Sequence, residues 1–175
     1  SEPKQLNNEI KWYTVHGSKY WLDKYSAKGK GTVSLSNGEM HWWIIDELND
    51  NGRAFDQKAH IAILHKGELY NYQEFALANR KTLNSLGIYA GADRIVMYFE
   101  PNPDKYNNFY IQPSRSSIEI NGENPWLFAT EEFKKKIPAK ILKFVEEERE
   151  KGRKETDLKS LAKAFKKYAE LYKGM

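Results

Sequence analysis

The chain contains no cysteine, which excludes disulfide staples and thiolate metal centres and agrees with a reducing cytoplasmic compartment. It has no apolar run long enough to cross a bilayer, and its opening SEPKQLNNEI carries no apolar signal segment, so no membrane partner is expected. Excess charge of one sign is small, 28 Lys and Arg standing against 24 Asp and Glu. The net value is +4 over 175 residues, a bias that permits a polyanionic partner without requiring one. Ser1 stands where an initiating methionine would, which points to a piece of a larger protein.

Aromatic residues, at 14% of the chain, exclude a disordered polypeptide and supply large side chains for a core. The length suits one α+β unit, residues 1–128, with a helical extension, residues 129–175, packed on it. Alternation predicts a strand over Glu9–Val15. Strands over Thr32–Ser36 and Met40–Leu48 are joined by Asn37-Gly38, a strong hairpin signal. The second of these, MHWWIIDEL, is apolar on both faces and therefore central. Ala59–Leu64, Leu69–Tyr72 and Arg94–Phe99 read as further strands, with a helix over Glu74–Leu86 stopped by Gly87. His60–Glu100 is thus a strand-helix-strand unit in a mixed sheet packed by helices. Beyond Pro125, Thr130 is expected to cap a helix with Glu131 and Glu132 in its first turn. A second helix restarts at Pro138, breaks at Gly152, and is followed by a last one capped by Thr156 or Asp157. Leu158, Leu161, Ala162, Phe165, Tyr168, Ala169 and Tyr172 form its apolar stripe, expected to dock on the sheet with Lys159, Lys163, Lys166 and Lys167 facing water.

Three chemistries can be read from these residues. Arg115, between Ser114 and Ser116 at the mouth of a short apolar run, suits an anionic ligand, because guanidinium offers a planar fork of donors and keeps its charge. Lys28 and Lys30 interleave with Tyr20, Trp21 and Tyr25. With Lys163, Lys166 and Lys167 of the last helix, they have the lysine and ring chemistry that single-stranded nucleic acid uses. Asp46 or Glu47, followed by Asp56-Gln57-Lys58, loosely imitates the pattern that holds a divalent metal beside an activating lysine in nucleases. Adjacent carboxylates on a strand point to opposite faces, which weakens that reading. His16, His41, His60 and His65 stand at no paired-ligand spacing and are expected to be structural. Asp50-Asn51-Gly52 is not a nucleotide-binding glycine box, since Ala54 occupies the position of the next glycine and no helix with a coordinating Asn precedes it.

The ordered series MHWWIIDE, AHIAILHKGELYN, ADRIVMYFEPN, QPSRSSIEINGENPW and IPAKILKFVEEE resembles the segment after the ATP-binding domain in GHKL-type ATPases. That superfamily includes gyrase, the ninety-kilodalton heat-shock chaperones, histidine kinases and MutL, and the likeness runs from Gly38 to Glu150. The resemblance implies a transducer-type domain that relays nucleotide state, with Arg115 in the position of a basic residue that reaches the γ-phosphate. The ATP-binding half, with its helix-borne Glu and Asn and its Asp-x-Gly-x-Gly box, is absent from this sequence. ATP and Mg2+ are therefore expected to come through an upstream domain, and no catalytic residue is expected in this chain alone. A homodimer contact through the basic C-terminal helix belongs to the same expectation.

Overall fold

The computed structural model describes residues 18–24, 26, 28–45, 59–74 and 77–173; the side chains of 18, 77–79 and 164–173 fall outside that description. Five strands, β1 (Gly29–Leu35), β2 (Gly38–Ile44), β3 (His60–His65), β4 (Glu68–Glu74) and β5 (Ile95–Pro101), form one sheet in the order β1-β2-β5-β3-β4. β3 lies parallel to β5 and every other neighbouring pair is antiparallel. A helix, α2 (Leu77–Ser85), carries the chain from edge strand β4 back to β5, which enters between β2 and β3. The fold is α+β with a mixed sheet. A two-stranded hairpin, β6 (Phe109–Ile111) with β7 (Ile118–Ile120), follows, and the remaining helices are α1 (Ser18–Lys24), α3 (Trp126–Lys135) and α4 (Ala139–Lys173).

The alternation of each strand decides what covers each face. Met40, Trp42 and Ile44 of β2, Ile61 and Ile63 of β3, and Ile95, Met97 and Phe99 of β5 form the main core. Leu83 of α2, Ala129 and Phe133 of α3, and Ile141, Phe144 and Val145 of α4 complete it. Burial of each large side chain contributes about 1.5–3 kcal/mol, so this face dominates stability. On the opposite face the described residues form a smaller cluster, in which Trp43, Ile45, Ala62, Val96 and Tyr98 pack with Leu22 of α1. Trp43 Nε1 donates to Asp23 Oδ1 at 2.8 Å, which fixes α1 over the sheet.

Three expectations are corrected. Leu35 pairs with Gly38, so the hairpin turn is Ser36-Asn37 and the glycine is the first residue of β2. Gly38 is demanded by packing, because a Cβ there would collide with the Glu100 carbonyl oxygen on β5. Thr130 does not cap a helix; α3 starts a turn earlier at Trp126, whose N–H donates to Asn124 Oδ1 at 3.2 Å, while Thr130 Oγ1 donates to the Trp126 carbonyl inside the helix. Gly152 does not break the C-terminal helix, and α4 runs through it for 35 residues. One exposed glycine costs a helix only about 1 kcal/mol relative to alanine, too little to end it here. Thr156 Oγ1 accordingly donates back to the Gly152 carbonyl at 2.8 Å instead of capping a new helix.

The first third of α4 is tied to the body. Arg94, buried beside the start of β5, donates Nε to the Ile45 carbonyl at 3.2 Å and Nη1 to Glu148 Oε1 at 3.4 Å. Its guanidinium lies 5.2 Å from the Phe144 ring centroid. Beyond this clamp, residues 149–163 are exposed, with Leu158 and Leu161 in solvent. Over those residues the expected docking on the sheet is not observed. The predicted strand Glu9–Val15 lies outside the described residues.

Candidate functional site

Arg115 is positioned by a loop pinned at both ends. Gln112 N–H donates to the Ser117 carbonyl and Arg115 N–H to the Gln112 carbonyl, closing the β6–β7 turn. Arg115 itself has φ 54, the left-handed region that non-glycine residues enter infrequently. The hairpin is anchored to edge strand β4 by Asn71. Its N–H donates to the Ser116 carbonyl at 2.9 Å, its Nδ2 to the Ile118 carbonyl, and its Oδ1 accepts from Ile118 N–H at 2.8 Å. Asn71 also has positive φ and lies where the β3–β4 register shifts, so a local irregularity in the edge strand aims the hairpin.

The guanidinium of Arg115 does not point into the protein. Its side chain is 68% exposed, and Nη2 donates to both carboxylate oxygens of Glu68 at 2.6 Å. Tyr70 Oη donates to the same carboxylate at 2.7 Å. The Tyr70 hydroxyl and the Arg115 guanidinium hold the Glu68 carboxyl below its usual range, and Glu68 in turn pushes the Tyr70 phenol up. Ser114 and Ser116 bond to each other, Oγ to Oγ at 2.7 Å. The arrangement is an exposed cation whose present partner is an equally reachable carboxylate.

The basic and aromatic residues are dispersed over several elements. Tyr20 and Trp21 lie on α1, edge to face at 5.3 Å, with Lys24 Nζ 5.3 Å from the Trp21 ring centroid. Lys30 on β1 pairs with Asp23 at 3.2 Å. Lys28 instead faces α4, where Lys28, Lys140, Lys143, Phe144 and Glu147 line a cleft of about 340 Å3. Lys163 is exposed on α4 and is not part of that cleft; Lys166 and Lys167 lie on the same helix, with side chains outside the description. Tyr25, Asp46, Glu47, Asp56 and Lys58 all lie outside the described residues, so the nuclease-like acidic pattern has no geometry to report.

A cluster that sequence reasoning missed sits on the Trp43 and Tyr98 face of the sheet. His41 Nε2 is 3.0 Å from Glu100 Oε2 and 3.9 Å from Glu39 Oε2, and His41 Nδ1 is 3.0 Å from Thr32 Oγ1. The Glu39-x-His41 spacing, which puts both side chains on one strand face, was legible. Glu100 joins them only through the β2–β5 register, which no local pattern reveals. Beside them His41, Trp43, Leu64, Leu69, Tyr98 and Glu100 line a cleft of about 350 Å3.

No protein-family model, curated protein or solved structure matches the chain. Among the described residues, no helix is long and apolar enough to cross a membrane.

Proposed function

We propose that this chain is a non-catalytic, transducer-like domain of a larger cytoplasmic GHKL-type ATPase, and that Arg115 reads the terminal phosphate of a nucleotide held by an upstream domain. The observation that carries the reading is the Arg115–Glu68 pair. The loop presents a permanent charge in solvent, 68% exposed, against a carboxylate that is itself 50% exposed. A solvent-exposed pair is held weakly because water and salt screen it, so a phosphate can take the place of Glu68 without exposing an apolar surface. Two phosphate oxygens suit the guanidinium fork, whereas Glu68 now engages Nη2 alone. Such an exchange would bias a two-state arrangement of domains: the contact exists with ATP and is lost after hydrolysis.

The reading is tested in a polypeptide that carries the ATP-binding domain ahead of this chain. Arg115→Ala should lower ATP turnover about tenfold or more, as loss of a charge-assisted contact to a phosphate does. Arg115→Lys should restore only part, since an ammonium lacks the fork. Full activity in Arg115→Ala would overturn the sensor role.

A second reading, nucleic-acid binding, is favoured by the convergence of Lys28 with Lys140 and Lys143 around one cleft. It requires association with short single strands at low salt and a steep loss of affinity as salt rises. Absence of low-salt association would remove it.

A further inference from the structure

We infer that Glu39, His41 and Glu100 form a binding site for one divalent first-row transition ion, of which Zn2+ is the natural probe. The inference is independent of the ATPase reading and uses none of its residues.

It begins with a conflict in the sheet. Glu39 and Glu100 are direct cross-strand partners, and like charges in that position destabilise an antiparallel pair. Both belong to strands whose other residues on this face include buried Trp43, Val96 and Tyr98. The two carboxylates reach solvent, with side chains 54% and 41% exposed, and the third member of the group is an imidazole; a cation between them would relieve the repulsion. One ligand atom from each residue falls within 4.8 Å of the other two. An ion about 2.0–2.2 Å from each nitrogen or oxygen ligand in a tetrahedral shell places those ligands about 3.3–3.6 Å apart. The observed 3.0 and 3.9 Å separations from His41 Nε2 straddle that value, so modest side-chain rotation brings the three ligands to it.

Two features outside the trio point the same way. Thr32 Oγ1 on β1 engages His41 Nδ1 and Glu100 Oε2 engages Nε2; with Nδ1 held by Thr32, an ion can replace the Nε2 hydrogen bond and take both of its atoms as ligands, a hydrogen bond to the outer ring nitrogen being typical of metal-binding histidines. The His41 side chain is only 13% exposed, so its ring is held by the sheet. Next, the 350 Å3 cleft opens at His41 and Glu100 and is walled by Trp43, Leu64, Leu69 and Tyr98, with Lys19 also lining it. Three protein ligands leave a fourth coordination position for water or an anionic oxygen, as in open rather than closed zinc sites. The donor set of one imidazole and two carboxylates suits Zn2+, Mn2+ or Ni2+ and, lacking thiolate, does not suit Cu+.

The test is calorimetric titration of the protein with Zn2+, followed in parallel by the His41 ring resonances. One equivalent should bind with a dissociation constant of about 1–10 μM, shifting His41 Nε2. His41→Ala should abolish that event, Glu100→Gln and Glu39→Gln should each weaken it about tenfold or more, and Thr32→Val should weaken it without changing stoichiometry. Thermal melts without metal establish that each variant folds; if His41→Ala does not, the two glutamine variants decide. No binding of Zn2+, Mn2+ or Ni2+ up to about 1 mM, where affinity falls to about −4 kcal/mol, would overturn the inference. So would binding that leaves His41 unshifted or persists undiminished in Glu39→Gln and Glu100→Gln.

Discussion

The Arg94–Glu148 clamp gives a sharp test of how α4 is held. The two side chains are 8% and 17% exposed, so the pair is largely out of water. Removing one member of a buried pair typically costs about 3–5 kcal/mol, because the remaining charge loses its compensation. Here Arg94 keeps the Ile45 carbonyl and the Phe144 ring, and the 3.4 Å Glu148 contact is long. The expected cost of Glu148→Ala is therefore about 2–3 kcal/mol, below the full penalty. In a protein of this size that lowers the melting temperature by about 5–10 °C. Lys151 also reaches Glu148, at 2.9 Å, but is 52% exposed, so Lys151→Ala should cost less than about 0.5 kcal/mol. Calorimetric melts of Glu148→Ala, Arg94→Met and the double variant form a cycle whose coupling should exceed about 1 kcal/mol. A Glu148→Ala melt within about 1 °C of wild type would refute the clamp, since even an average surface substitution shifts stability by about 0.5 kcal/mol at most.

Two further outcomes can be checked on the same protein. Glu132 accepts from Lys136, from the Ser36 hydroxyl and from Ser36 N–H, which together lower its pKa from 4.5 to about 2. Its folded-state value is depressed, so its contribution is complete above the unfolded value and is lost as pH falls from about 4.5 through about 2. Denaturation midpoints of Glu132→Gln should lose pH dependence in that window relative to wild type, and parallel curves would remove the assignment. Gly38→Ala should destabilise by about 1–3 kcal/mol through overpacking against β5, with the melt as readout; a neutral result would mean that the β2–β5 spacing is looser than described.

The sequence was most legible where one rule acted alone. The apolar run MHWWII placed β2 inside the sheet, because strands buried on both faces need no alternation. Gly87, at φ 89, ended the chain's second helix as expected. Helix boundaries were misread where two rules competed. At Thr130 the capping preference of threonine lost to Asn124, whose side chain takes the first turn. At Gly152 the breaking tendency of glycine lost to the strong helix formers on both sides. The Arg115 loop was found because proline, serine and a lone arginine mark it locally. Its partner Glu68 was not, since it lies 47 residues away and meets Arg115 only when the hairpin docks on β4. Glu100 was hidden from local reading for the same reason, being joined to Glu39 and His41 by register.

The continuity of α4 through Gly152 has a mechanical meaning. Thirty-five helical residues span about 52 Å at 1.5 Å per residue, and among the described side chains the last anchor to the body is Glu148. Exposed residues 149–163 carry the helix about 22 Å past a fulcrum made by one guanidinium, one carboxylate and one aromatic ring. A tilt of about 5° at that fulcrum carries Lys163 about 2 Å, the arc that a rod of this length sweeps. A break at Gly152 would have dissipated that motion in a hinge; an unbroken helix delivers it whole to whatever holds the far end.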